Sequence, residues 1–402
     1  MDPLHFLPAW PLAATPLGWV AVLLLAAILA GESARRFLRV SRLIGYLAVG
    51  ALLGPAVGGF IDSGTAGQLR IFVDIAVGML LFELGQRVDL GWLQRNPTLL
   101  VASVLEAALT FAIVYLAMTW FDMRPVAAAA AALLALATSP AVVMTVIKDL
   151  RAQGQVTERV MLFTALNTTY AVVGLPLLVG WLHYESAQPP ATMILHPLYV
   201  VAGSLVLAAM LAMVMLSLLR LFGRRPAFQF SVTVSLVLLT VAAATMLKLS
   251  VPLALLLLGG LGRLFDRERH FVSLRFGETA MLFIVLLFAL AGASLEFTGW
   301  AAAAPLALAF IGARLLGKAL PIVVLSNASS LGLRKSSLVA LGLMPMSGLA
   351  LLMLHELMQQ SPRLAGEIGA AMFLAITILS FAGPLALEFA LRRCSEAAEE
   401  AR

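Results

Sequence analysis

Long apolar runs, separated by short polar segments, make up most of the chain. About 13 of these runs are long enough to cross the hydrocarbon core of a bilayer, which takes about 20 helical residues. They lie near residues 17–34, 43–60, 70–87, 97–119, 125–147, 159–182, 195–219, 228–247, 250–264, 278–296, 300–326, 335–357 and 366–391. The pattern predicts an all-α polytopic membrane protein with about 13 transmembrane helices.

The composition argues against most soluble functions. Charged residues make up 12% of the chain, about half the share found in a typical soluble domain. Cys394 is the single cysteine, which excludes a disulfide framework and a cysteine-rich metal site. The chain has no Gly-rich phosphate loop, zinc-protease motif or hydrolase nucleophile motif. We therefore expect no enzyme activity, no cofactor and no metal site.

The basic residues indicate the orientation in the membrane. With the N-terminus outside, 21 of the 27 lysines and arginines lie in cytoplasmic loops and in the C-terminal tail. Such a bias predicts an outer N-terminus and a cytoplasmic C-terminus, and it accounts for the basic net charge without a nucleic-acid partner. The first run is followed, rather than preceded, by arginines at 35, 36, 39 and 42. We interpret it as a retained span and not as a cleaved signal peptide.

Two of the apolar runs are interrupted in the middle. Thr138, Ser139 and Pro140 break the run at 125–147, and Pro345 and Gly348 break the run at 335–357. Proline removes a backbone donor and clashes with the preceding turn. A pair of broken helices in corresponding halves is the strongest sequence indication of a transporter site near the bilayer midplane.

Other parts of the chain repeat at nearly the same offset as the two breaks. Phe82 and Phe288 lie in similar Leu-Leu-Phe segments 206 positions apart, and the prolines of the two breaks are 205 apart. The repeat joins the second predicted helix to the ninth, the third to the tenth and the fifth to the twelfth. Since an odd number of spans separates each pair, the second copy is predicted to be inverted, with two discontinuous helices that cross.

Most charges in the apolar runs lie near a membrane boundary. Asp74, Glu83 and Glu388 are each four residues from an arginine, a spacing typical of ion pairs on a helix surface. We interpret these three as interfacial pairs.

Three charges lie deeper, where an ionisable side chain indicates function by default. They are Glu106, Arg314 and Lys318. Because Glu106 and Arg314 are 208 positions apart, close to the repeat offset, we expect them to approach each other in the core. Two interpretations stay open: a structural salt bridge between the halves, or a Glu106 carboxylate that carries the transported proton.

A layer of polar side chains is predicted at the depth of Glu106. Its other members are Thr138, Ser139, Asn167 and Thr168. Hydroxyl and amide oxygens beside freed carbonyls suit a dehydrated alkali cation. The same side chains could equally hydrogen-bond between helices, and the sequence leaves both readings open.

Four segments resemble the monovalent cation:proton antiporter-2 family, which contains bacterial Na⁺/H⁺ antiporters and glutathione-gated K⁺ efflux proteins. They are IGYLAVGALLGP at 44–55, LLFELGQRVDL at 80–90, ATSPAVVMTVIKDL at 137–150 and GARLLGKAL at 312–320. The last resembles the family's basic helix of the form A-R-x-x-G-K. The resemblance covers nearly the whole chain.

This resemblance implies a homodimeric antiporter of the bacterial inner membrane that exchanges a monovalent cation (Na⁺ or K⁺) for H⁺. It implies an elevator mechanism, in which a core carries the site past a fixed dimerisation part. The expected divisions are a dimerisation part at 1–96 and 228–298, a linker helix at 195–219, a core at 97–182 and 299–391, and a tail at 392–402.

One departure from the family pattern bears on mechanism. Family members carry an aspartate on the sixth helix that binds the cation and the proton in turn, and here the matching pair is Asn167-Thr168. Threonine cannot change charge near pH 7. Three functions therefore stay open: an antiporter whose proton site has moved, most plausibly to Glu106; a carrier of an anionic or neutral solute that uses Arg314 and Lys318; or a transport-inactive sensor or partner subunit.

Overall fold

The computed structural model describes residues 16–38, 41–55, 57–60, 75, 77–86, 97–185, 190–222, 225–266, 278–293, 300–326, 331–346 and 348–397. Every regular element in these ranges is a helix. Two of the predicted interfacial pairs involve Arg70, Asp74 and Arg87, which lie outside the described residues. The third is confirmed, because Arg392 Nε donates to Glu388 Oε1 at 3.0 Å.

The helices follow the apolar runs of the sequence. In chain order they are α1 (Pro16–Ser33, continued by a π-helical turn at Ala34–Leu38), α2 (Arg42–Leu53), α3 (Val77–Gln86), α4 (Pro97–Trp120), α5a (Pro125–Leu136), α5b (Pro140–Asp149), α6 (Gln155–Glu185), α7 (Pro190–Phe222), α8 (Pro226–Met246), α9 (Val251–Phe265), α10 (Glu278–Ala293), α11 (Trp300–Val324), α12a (Leu333–Gly342), α12b (Gly348–Gln360) and α13 (Pro362–Arg393).

Eight spans in the described part of the chain are long and apolar enough to cross a membrane. Many large apolar side chains on them are exposed, such as Leu116 on α4 and Leu316 on α11. A face of this kind is suited to lipid. The protein is therefore a multi-pass integral membrane protein.

The two predicted breaks are confirmed. α5a ends at Leu136 and α5b begins at Pro140, with Ser139 as its N-cap, whose hydroxyl accepts from the Val142 amide at 3.4 Å. α12a ends at Gly342 and α12b begins at Gly348. Proline favours the first position of a helix because its missing N–H is not needed there, so Pro140 both ends one half-helix and starts the next.

Glycine contacts outside the core support the inverted repeat. Gly50 on α2 and Gly292 on α10 each face the backbone of the other helix so closely that a Cβ atom would collide with a carbonyl oxygen. Gly259 on α9 and Gly85 on α3 make the same kind of contact. The repeat relates α2 to α9 and α10 to α3, so the two packed pairs are copies of one arrangement.

The broken helices lie at the centre of the other helices. Residues 126–136 of α5a are all buried, and its run of alanines lets neighbouring backbones approach closely. α4 and α11 pack along each other and against this centre, with α6 and α13 on its other sides. The fold therefore brings side chains from α4, α6, α11 and α13 to the two breaks.

Candidate functional site

The two interrupted segments cross and bind each other through the backbone. The Ser139 amide donates to the Pro345 carbonyl at 2.9 Å. The Thr138 hydroxyl donates to the Leu343 carbonyl at 3.3 Å. A hydroxyl from α13 supports the second break, where Ser380 Oγ donates to the Met346 carbonyl at 3.0 Å. These bonds hold two half-helix C-termini and two half-helix N-termini together inside the protein.

Two half-helix C-termini in one place concentrate partial negative charge, because the last carbonyls of a helix lack intrahelical partners. Arg314, on α11, compensates this charge and is fully buried. Its Nε donates to the Ala135 carbonyl at 2.9 Å, and its Nη1 donates to the Met344 carbonyl at 2.8 Å. Its Nη2 donates to the carbonyls of Ala137 at 2.9 Å and Leu343 at 3.1 Å.

Glu106 pairs with Lys318, which corrects the prediction that its partner is Arg314. The Lys318 Nζ lies 2.9 Å from Glu106 Oε1, and both side chains are completely buried. Lys318 also donates to the Leu136 carbonyl at 3.3 Å, and Thr110 donates to the same Glu106 oxygen at 3.3 Å. The prediction was wrong in the partner because Arg314 is engaged by backbone carbonyls. Lys318, one turn away on the same helix, reaches Glu106 instead.

The second carboxylate oxygen of Glu106 has no hydrogen-bond partner. The pair is therefore buried on all sides, but one carboxylate oxygen is left without a hydrogen bond. Removing two charges from water costs several kcal/mol per ion, and close contact recovers this only with good geometry. A carboxylate oxygen left free in such a place is able to accept a proton or a cation.

Two polar residues of α6, Asn167 and Thr168, differ in their hydrogen bonding. The Thr168 hydroxyl donates to the Thr138 carbonyl at 3.0 Å, so it ties α6 to the first break. Asn167 is fully buried, and neither its Oδ1 nor its Nδ2 has a hydrogen-bond partner. Buried amide groups in proteins are nearly always satisfied, and an exception calls for an explanation. Asn167 is thus a free donor and acceptor beside the crossing.

The structure describes all of the predicted site residues, and their local contacts differ. Thr138, Thr168 and Arg314 satisfy backbone carbonyls, Ser139 caps α5b, and Pro140 and Gly348 begin half-helices. The Pro345 carbonyl accepts the hydrogen bond from the Ser139 amide where the two interrupted segments cross.

Sequence reasoning missed two members of the site, Thr110 and Ser380. Thr110 follows Glu106 by one turn, a spacing that could have indicated it. Ser380 had no comparable signal.

Comparisons with known proteins support the fold. The family model described as "Sodium/hydrogen exchanger, transmembrane" matches residues 20–393. A structure of the sodium proton antiporter MjNhaP1 from Methanocaldococcus jannaschii at pH 8 is 16% identical, with a TM-score of 0.66 over 94% of this chain and 95% of that chain. An electron-microscopy map of the same antiporter gives 16% identity and a TM-score of 0.68 over 96% of this chain and 99% of that chain. No curated protein sequence matches significantly.

At 16% identity the two structures show a shared fold. The family model spans most of the sequence, from α1 to the end of α13. The chain therefore belongs to the sodium/hydrogen exchanger family of membrane transporters, and it is not an enzyme.

Proposed function

We propose that the protein exchanges a monovalent cation, Na⁺ or K⁺, for a proton across the bacterial inner membrane. The observation that carries this proposal is the closed ion pair of Glu106 and Lys318 beside the crossed helices. It places a carboxylate and a proton-bearing amine in direct contact, in a family whose sixth helix ordinarily supplies the titrating group. Here α6 offers Asn167 and Thr168, neither of which changes charge near pH 7.

The charges suggest how one cation and one proton exchange. A cation that binds the Glu106 carboxylate replaces the ammonium of Lys318 as its counter-ion. Lys318 is then a buried ammonium without a counter-ion, and losing its proton removes the cost of that charge. The total charge of the site is the same before the cation binds and after the proton leaves. A dehydrated site can therefore hold either the cation or the proton. Asn167 would contribute its free side-chain oxygen to the cation.

The arrangement of Arg314 argues against an anion carrier. A guanidinium has five N–H donors, and the contacts of Arg314 with four carbonyls and the sulfur of Met344 engage all three of its nitrogens. Lys318 is neutralised by Glu106. The nitrogens of Arg314 are therefore occupied and the charge of Lys318 is paired, so neither side chain is free to bind an anionic solute.

The elevator division of the sequence is part of the proposal. Residues 97–182 and 299–391 would form the moving core, and residues 1–96 and 228–298 would form the dimerisation part of a homodimer. The helix at 195–219 would link them. The N-terminus would lie outside and the tail in the cytoplasm. The packing of α4, α5, α6, α11, α12 and α13 around one centre supports this division.

Proton flux in everted membrane vesicles tests the proposal. Vesicles are energised with a respiratory substrate, and a pH-sensitive dye is followed while Na⁺, Li⁺ or K⁺ is added. The parent should show a cation-driven collapse of the pH gradient. Glu106→Gln should abolish it, whereas the matched control Glu158→Gln, on an exposed carboxylate of α6, should retain it.

A second variant separates a displaced site from an inactive protein. Thr168→Asp restores the carboxylate that relatives carry on the sixth helix. A silent parent combined with an active Thr168→Asp variant would refute antiport for the natural protein and favour the sensor or partner-subunit alternative. Activity in the parent that survives Glu106→Gln would refute the role given to Glu106.

A further inference from the structure

A cluster of charges joins two parts of the protein at the end of the helices that the charge bias assigns to the cytoplasm. Asp149, the last residue of α5b, accepts from Arg42 Nη1 of α2 at 3.3 Å. Arg35, in the π-helical turn after α1, donates to the Asp149 backbone carbonyl at 2.9 Å, and its Nη1 lies 3.8 Å from the carboxylate. Arg42 also pairs with Glu32 at 3.0 Å.

The partners in this cluster belong to helices that pack mainly on different neighbours. α2 packs mainly on α1 and α10, and α5b packs mainly on α6 and α13. Where α6 meets α3 and α9, the contact at Leu84, Ala165 and Leu256 is apolar. An apolar contact without directional bonds can slide, whereas hydrogen bonds and ion pairs favour one relative position. The Asp149 cluster supplies such directional contacts between the two parts at this end.

The local structure holds these charges in place. Gly31 of α1 and Gly45 of α2 let the two helices approach so closely that a Cβ on Gly45 would collide with the α1 backbone. This contact fixes the turn that carries Arg35 relative to the start of α2, where Arg42 lies. Asp149 is mostly buried, with a side-chain exposure of 11%. Limited access to water strengthens the attraction of this carboxylate to its two arginines, although it also removes part of the carboxylate's hydration.

We propose that Arg35, Arg42 and Asp149 form a cytoplasmic lock, which holds the present arrangement, with Glu106, Lys318 and Asn167 closed from water, and must break when the core moves. This inference rests on the proposed elevator function. It assigns to Asp149 a conformational role separate from the ion site. The lock predicts that removing its charges shifts the protein toward an arrangement in which the two parts are farther apart at this end.

Distances between spin labels on the two parts test the lock without any transport measurement. On a Cys394→Ser background, labels are placed at Leu38→Cys, which is 70% exposed, and at Glu158→Cys on α6. Labelled protein is diluted with unlabelled protein, so that only distances within one chain are recorded. A second pair, at Glu158→Cys and Leu333→Cys, reports on the core alone.

Asp149→Asn and Arg42→Ala should each raise the population at longer distance by about five- to thirtyfold, the factor expected for one or two kcal/mol. Asp149→Glu retains the charge and should stay close to the parent. The matched control Arg36→Ala, on an exposed neighbour of Arg35, should leave the distance unchanged. The core pair should not change in any variant, which separates release of the lock from loss of folding.

Identical distributions in the parent, Asp149→Asn and Arg42→Ala would overturn the lock, and so would an equal response in the Arg36→Ala control. The vesicle assay on the same variants separates this result from the fate of the proposed function. A response to Asp149→Asn in a protein without cation-driven proton flux would support the lock and refute antiport. Cation-driven proton flux in the parent, with no change of distance in Asp149→Asn, would support antiport and refute the lock.

Discussion

Lys318→Met is expected to lower the free energy of unfolding by about 3–5 kcal/mol, the usual cost of removing one partner of a buried ion pair. Methionine is close to lysine in length and apolar, so the change removes the charge with little loss of packing. The pair is suited to this test because neither side chain has any exposure to solvent. Water cannot take the place of the missing ammonium.

The magnitude follows from the contacts of the pair. At the 2.9 Å between Lys318 Nζ and Glu106 Oε1, the attraction is about 6 kcal/mol for an effective dielectric constant of about 20. After the change, Glu106 retains one hydrogen bond among the described residues, from the Thr110 hydroxyl at 3.3 Å. The loss is smaller than the attraction, because removing the ammonium of Lys318 also removes the cost of burying its charge.

Thermal unfolding of the purified protein in detergent measures this effect. The melting temperature of Lys318→Met should fall by several degrees at neutral pH. Lys148→Met serves as the control, because Lys148 is exposed and should change the melting temperature little. Glu106→Gln and the double variant Glu106→Gln/Lys318→Met complete a double-mutant cycle. The double variant should lose less than the two single losses together, with a coupling of about 2–3 kcal/mol.

Two results would refute this reasoning. Additive losses in the cycle would mean that Glu106 and Lys318 do not interact in the folded protein. A loss in Lys318→Met that is no larger than that of Lys148→Met would mean that Lys318 reaches water, so the site would not be closed.

Three further variants test neighbouring parts of the structure. Arg314→Lys retains the charge but has three donors in place of five, so some of the backbone carbonyls are left unpaired. The variant should lose about 2–4 kcal/mol of stability, measured by thermal unfolding. An unchanged melting temperature would contradict the geometry. Gly317→Ala should lose about 1–3 kcal/mol in the same assay, because its Cβ would collide with the α4 backbone, whereas Gly312→Ala, with open space around it, should be neutral or stabilising. Glu396→Ala removes the carboxylate that accepts from the first amides of α6, including Thr157 at 2.8 Å. It should speed hydrogen exchange there by a factor matching about 0.5–2 kcal/mol; exchange as slow as in the parent would show that the tail does not cap α6.

The fold was predictable from the sequence because few backbone conformations are stable inside a membrane. In lipid each backbone polar group must bond internally, so long apolar runs become helices. The breaks at Pro140 and Pro345 could be predicted for the same reason, since an interrupted helix in the membrane requires a protein environment. The exact number of spans stays a prediction, because parts of the chain lie outside the described residues.

Several buried polar members of the site were predictable from the sequence, but their pairing was not. The repeat offset suggested that Glu106 and Arg314 are corresponding positions on α4 and α11, and correspondence suggested contact. It could not show that two half-helix C-termini would surround Arg314 with carbonyl acceptors. Those acceptors are backbone carbonyls, which the pattern of side chains along the sequence does not reveal. The planar guanidinium suits several fixed acceptors, whereas the flexible lysine suits a single carboxylate.

The ionic clusters of this protein differ in which helices they connect, and this difference separates their roles. Glu106 on α4 and Lys318 on α11 lie on helices that pack along each other around one centre. If these helices move as one core, the pair travels with them and stays intact, so it can respond to the cation and the proton rather than to the position of the core. Asp149 instead joins the core to α1 and α2. Its ion pairs cannot survive a displacement of several ångströms, so they respond to position and not to the substrate. Chemistry and movement would then be controlled by separate charges, which is why each can be removed and measured alone.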